Sequence, residues 1–198
     1  MTGVVLAGGK NTRMGRNKAT LPWQQNDFLH IILYGLAEVC SELIVVTNTP
    51  LSVKLPTVRS VPDIIPQCGP LSGIHAGLTH AFFPAVFVTA CDMPYLQPAA
   101  VAWLGSCLGD YDAVVPDDGK FREPLFACYA KSCIPIIERL LAHGVRKTQT
   151  LFDHIRAKSI PVDELRRFDP SLRLLQNINT AADYQRALQN MDNTSVLL

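Results

Sequence analysis

A single loop near the start of the chain gathers glycines and cations in a pattern suited to holding an anion. Gly3-Val4-Val5-Leu6-Ala7 runs into Gly8-Gly9-Lys10-Asn11-Thr12-Arg13-Met14-Gly15-Arg16-Asn17-Lys18. Glycine lets main-chain N–H groups approach a ligand closely because no Cβ intervenes. Lysine and arginine carry charge that an apolar core cannot satisfy. At the end of a buried strand, such a loop reads as a cradle for a nucleoside triphosphate. The P-loop string and the Gly-x-Gly-x-x-Gly fingerprint are both absent, so the cradle is of another kind.

Asp92 is the second candidate. It follows the apolar run Val86-Phe87-Val88-Thr89-Ala90 and precedes Met93-Pro94, which sets its carboxylate at the rim of a sheet. A carboxylate facing a triphosphate requires a cation between them, and Mg²⁺ is held in this way by few protein oxygens plus phosphates and water. The alternative is an N-cap for a helix beginning after Pro94. His75 and His80 lie five apart on an expected helix and do not share a face. His143 and His154 are isolated, and Asp117 and Asp118 beside Gly119 read as turn residues. No Gly-x-Ser-x-Gly elbow marks a serine hydrolase.

The elements that must position these residues alternate along the chain. Phe28 to Val39 has helical spacing, Leu43 to Thr47 and Thr57 to Val61 read as strands, and Pro70 opens a helix through Ala81. Asp112 to Pro116 and Leu125 to Tyr129 read as further strands, Ile134 to Ala142 as a helix, and Ile160-Pro161-Val162 as an edge segment. Thr180 with Asp183 forms a capping-box-like pattern at the last helix. Unalternating apolar strands between helices predict one α/β domain, three-layered and Rossmann-like, with a mostly parallel sheet. Ligands of such sheets bind beyond the carboxyl ends of the strands, which selects the loops at Gly8–Lys18, Asn48, Asp63 and Asp92.

Composition narrows the class. A chain of 198 residues buries roughly 70% of its unfolded surface as one domain. A net charge of +1 gives no reason to expect nucleic acid or an anionic membrane as partner. The six cysteines contain no Cys-x-x-Cys pair, so zinc and thioredoxin-like readings fail on spacing. No signal-peptide pattern or membrane-length apolar run is present, and the expectation is a soluble, reduced, cytoplasmic protein.

Leu6-Ala7-Gly8-Gly9, Arg13-Met14-Gly15, Lys18, Gly69-Pro70-Leu71-Ser72-Gly73, Cys91-Asp92-Met93-Pro94 and Asn177-Ile178-Asn179-Thr180 together resemble the molybdenum cofactor guanylyltransferases. These are nucleotidyltransferases with the nucleotide-diphospho-sugar transferase fold. The resemblance spans Gly3 to about Ala187 and implies a nucleotide-binding half over 1–95 and a pterin or acceptor half over 96–198. It implies transfer of GMP from GTP to the terminal phosphate of molybdopterin cofactor, with Mg²⁺ as the metal. Cofactor-delivery proteins or molybdoenzyme chaperones would be further partners.

On that resemblance, Leu6, Ala7 and Gly8 contact the nucleotide through their main chain while Gly9 and Gly15 shape the loop. Lys18 holds phosphate oxygens with help from Arg13, and Asp92 ligates Mg²⁺. Asp63 lies near the nucleoside, with either Asn48 or Thr47. Gly69 and Gly73 belong to the same pocket, and Asn177 and Asn179 lie toward the pterin. Asn17 and Gln24-Gln25-Asn26-Asp27 depart from the usual Asp and Gly-Lys-Pro of the family. Three alternatives share the pattern: a cytidylyltransferase acting on molybdopterin, a sugar-phosphate nucleotidyltransferase, and a non-catalytic nucleotide- or cofactor-binding protein. Ala7-Gly8-Gly9, where the cytidylyl branch carries Leu-Ala-Ala-Gly, favours guanine.

Overall fold

Buried β-branched runs in this chain have no polar face to give to water, so the sheet they form has to be covered on both sides. The computed structural model describes residues 1–8, 18–66 and 68–195, with side chains to 190. Gly9, Arg13 and Gly15 of the opening loop fall outside the described residues. Seven strands form the sheet in the order β5-β4-β1-β6-β8-β7-β9. These are β1 (Thr2–Leu6), β4 (Glu42–Val46), β5 (Val58–Val61), β6 (Ala85–Ala90), β7 (Ala113–Asp117), β8 (Phe126–Ala130) and β9 (Ala157–Pro161). A two-stranded hairpin, β2 (Pro22–Trp23) with β3 (Asn26–Asp27), stands apart.

Neighbouring side chains of one strand enter opposite cores. Val5, Val45 and Phe87 pack with α1 (Phe28–Ala37) and α3 (Pro98–Ser106). Val4, Ile44 and Val88 pack with α2 (Pro70–His80) and α4 (Ile134–Ala142). The result is the three-layer arrangement expected from the sequence. Among the described residues, no helix is long and apolar enough to cross a membrane.

Most strand pairs are parallel, and β8 alone runs antiparallel to both its neighbours, β6 and β7. The chain leaves β6 through α3, forms β7 one place further out, and turns back to fill the gap with β8. Asp117 and Asp118 build that turn. Asp117 Oδ1 accepts from Gly119 N at 2.8 Å and Asp118 Oδ1 from Lys120 N and Phe121 N, while Gly119 takes φ +86°. These main-chain donors hold both carboxyls below the usual aspartate range. They serve the turn, as their setting beside a glycine predicts.

Two local details settle how the hairpin and first helix sit. Asp27 caps α1, accepting His30 N at 2.9 Å and contacting His30 Nδ1 at 2.7 Å. Lys54 N donates to His30 Nε2 at 3.1 Å, so the ring carries its proton on Nδ1. Gln24, in the turn between β2 and β3, has φ +54°. A side chain there occupies a backbone conformation that glycine adopts without steric cost.

Candidate active site

Parallel strands end on the same side, and here three adjacent ends build the floor of one cavity. Ladder-like bonds continue past the strands: Ala7 N donates to Val46 O, Thr47 N to Val61 O and Cys91 N to Leu6 O. These bonds fix the first residue of each loop. Above them lies a cavity of about 770 Å³ lined by Leu6, Ala7, Gly8, Lys18, Asn48, Asp63, Gly69, Gly73, Asp92, Asn177 and Asn179. Every site residue expected from the sequence that falls among the described residues therefore meets in one place, although they come from seven separate segments.

Lys18 begins a short 3₁₀ turn, Lys18–Thr20, anchored by the fully buried Ala19. Its Nζ donates to Asp92 Oδ2 at 2.9 Å and to Asn179 Oδ1 at 2.7 Å. The two charged side chains are only 20% and 16% exposed. Asp92 Oδ1 is buried and has no partner among the described residues. The N-cap of α3 is Gln97, so Asp92 is not the cap that its place before a helix also allowed.

Asn179 reaches the site because its segment is pinned from two directions. Ile178 N donates to Asp92 O at 2.8 Å, and the Ile178 side chain is fully buried with Leu21, Trp23, Phe28 and Ala187. With Ile178 in the core, its neighbours Asn177 and Asn179 face the cavity, as alternation in an extended segment requires. The capping box forms as expected: Thr180 N donates to Asp183 Oδ2 at 2.9 Å and Asp183 N to Thr180 Oγ1 at 3.1 Å. It opens the last helix, α5 (Ala181–Ser195).

At the far end, Asn48 Nδ2 donates to Asp63 Oδ2 at 2.8 Å, and Asp63 N donates to Asn48 Oδ1 at 3.0 Å. Thr47 uses its hydroxyl within its own turn, donating to Thr49 O at 2.9 Å and accepting from Thr49 N. The geometry thus favours Asn48 over Thr47 as the residue paired with Asp63. Gly69 has φ +70° ahead of Pro70, and a Cβ built on Gly69 or Gly8 meets nothing within 4 Å. Gly73 has a packing reason as well, since its Cβ would lie 3.0 Å from Leu6 Cδ2.

Some lining residues had no signal in the sequence. Arg146 and Leu125 line the cavity from the second half of the chain, as does Thr49 from the first. Arg146 follows Gly144 in an irregular stretch, where no periodicity marks it. Glu123, in the turn before β8, lies near enough to Asp92 to feel its charge. Burial raises the Glu123 carboxyl, the Leu125 N–H partly offsets this, and the Asp92 charge raises it further. Cys91 is pushed up to about 12, first by burial and then by Asp92, so it lines the cavity as a thiol and not as a nucleophilic thiolate. All six cysteines are free.

The site can be tested for fit to a divalent cation. Among the described residues, no cluster of three His, Cys, Asp or Glu could enclose a metal. One carboxylate with an open, buried oxygen is instead what a Mg²⁺ shared with substrate phosphates needs. The residues fit such a cation, which Asp92 would hold.

Comparison with known proteins agrees with this geometry. A family model described as the MobA-like NTP transferase domain matches residues 3–158. A probable molybdenum cofactor guanylyltransferase of Pelotomaculum thermopropionicum is 35% identical over 193 residues, covering 98% of this chain and 94% of that protein. A molybdenum cofactor guanylyltransferase of Desulfosudis oleivorans is 33% identical over 189 residues, covering 94% of each. The crystal structure of molybdopterin-guanine dinucleotide biosynthesis protein A from Archaeoglobus fulgidus superposes with a TM-score of 0.85 at 29% identity, covering 98% of this chain and 100% of that one.

Proposed function

Because this chain belongs to the MobA-like NTP transferases, and is a nucleotidyltransferase, we propose that it moves GMP from GTP onto the terminal phosphate of molybdopterin cofactor. The observation that carries this reading is the meeting of Lys18, Asp92 and Asn179 in one cavity beyond the strand ends. The acceptor phosphate oxygen bonds to the α-phosphorus of GTP as the bond to the leaving pyrophosphate breaks. Such chemistry depends on positioning and on neutralising charge rather than on a strong base.

The cavity residues divide this work by place. Ala7 and Gly8 present main chain to the nucleotide, and Asn48 with Asp63 sits at the nucleoside end. Lys18 neutralises phosphate charge as pyrophosphate departs, assisted by Arg13 and loop amides, with Gly9 and Gly15 shaping the loop. Asp92 would hold Mg²⁺, which would supply positive charge to offset that of the phosphates. Asn177 and Asn179 bound the acceptor side with Arg146, whose charge suits the phosphate of the incoming pterin. The cytoplasm, where GTP is supplied, is the fitting compartment, with cofactor-delivery proteins or molybdoenzyme chaperones as partners.

Incubating the protein with GTP, Mg²⁺ and Mo-molybdopterin is expected to yield pyrophosphate and the guanine dinucleotide in equal amounts. Mass spectrometry of the pterin product together with a pyrophosphate assay reads both. Tight GTP binding without pyrophosphate release would instead mark a nucleotide-binding protein that keeps the fold.

A further inference from the structure

The ammonium of Lys18 is not aimed at an open space awaiting phosphate. It is bound to oxygens from two other segments, Asp92 Oδ2 at 2.9 Å and Asn179 Oδ1 at 2.7 Å. Asp92 therefore has one oxygen taken by a monovalent cation and one buried oxygen with no partner among the described residues. Asn179, the acceptor-side residue of the reading above, here holds the donor-side lysine. Its position is rigidly set, because Ile178 is bonded to Asp92 O and the next residue starts the α5 cap.

We infer that in the nucleotide-free protein Lys18 stands in for the divalent cation on Asp92, and that Asn179 is the positioning residue that keeps it there until metal and triphosphate arrive together. The inference rests on the reading of Asp92 as the metal carboxylate. A metal ion entering alone at the unpartnered Oδ1 would lie beside the ammonium held on Oδ2 of the same carboxylate, where like charges repel. A triphosphate removes the conflict by offering Lys18 new oxygens while the metal takes Asp92. Metal and nucleotide binding are thereby coupled through one side chain, and the coupling is reciprocal. Asn179 gains from this a role on the donor side as well as at the acceptor.

The test is a Mn²⁺ titration of the nucleotide-free, full-length protein followed by electron paramagnetic resonance, which reads binding without turnover. Lys18→Met is expected to bind Mn²⁺ about tenfold tighter than the natural protein, a change of about 1.4 kcal/mol. Asn179→Ala, at an exposed position, is expected to tighten binding by about threefold, and it carries the test if Lys18→Met fails to fold. Asp92→Asn is expected to abolish this binding, alone and combined with Lys18→Met. If Asp92→Asn abolishes binding while neither other variant tightens it, the stand-in role of Lys18 is overturned and the metal carboxylate remains. If Asp92→Asn leaves Mn²⁺ binding intact, both fall together.

Discussion

Asp92→Asn is expected to lower kcat/KM for guanylyl transfer by about 10²–10³-fold while the protein stays folded. The side chain keeps its shape and loses only its charge, so what disappears is the hold on the cation. Stability is expected to change little. The Lys18–Asp92 pair is largely buried, but the Asn amide oxygen still accepts from the Lys18 ammonium, which also keeps Asn179 Oδ1, so the loss is about 1 kcal/mol. In a protein of this length that is a Tm shift of roughly 2–4 °C. The bond that ties Asp92 to Ile178 uses the main-chain carbonyl and survives the substitution. Steady-state kinetics with a thermal melt on the same sample separates the two effects. Near-normal turnover would remove Asp92 from the chemistry.

Gly77→Val is expected to do the reverse, unfolding the protein at a temperature about 4–8 °C lower through packing alone. A Cβ on Gly77 would lie 2.7 Å from Val4 Cγ1, and Val4 is fully buried at the centre of the sheet, where it has no room to move. Overpacking of this kind costs about 3 kcal/mol, more than the gain of up to about 1 kcal/mol from removing a glycine from a helix. Gly73, one turn earlier on α2, is the instructive contrast. Its Cβ would press on Leu6, whose neighbour on the other side is the open cavity. Gly73→Ala is therefore expected to displace Leu6 into the nucleotide space, raising KM for GTP several-fold with less loss of stability. Differential scanning calorimetry and KM measurements on the pair distinguish a fold-setting glycine from a site-setting one.

The site was legible because its residues sit at strand ends, and strand ends can be read from apolar runs. Leu6, Val46 and Ala90 each close such a run, so the loops after them could be assigned to one edge before any fold was known. The direction of a strand leaves no such mark. An apolar run is the same forward and backward, which is why the antiparallel insertion of β8 was not foreseen. The helix α3, raised only as a possible element after Pro94, could not be given bounds for a related reason: Pro98-Ala99-Ala100-Val101-Ala102-Trp103-Leu104 has little polar contrast from which a helical period could be drawn. Arg146 and Glu123 come from irregular segments, where neither periodicity nor a motif brings a residue to notice. The join between Lys18 and Asn179, 161 residues apart, needed the fold itself.

The reading of Leu6-Ala7-Gly8-Gly9 as favouring guanine rests on a resemblance in sequence, and the most direct test of guanylyl transfer sets the two bases against each other. With GTP and CTP at equal concentration, Mg²⁺ and Mo-molybdopterin, the dinucleotide products are separated and quantified by mass. The guanine dinucleotide is expected to dominate and to vanish in Asp92→Asn. A cytosine dinucleotide in equal or greater amount would contradict the assignment of this site to guanine.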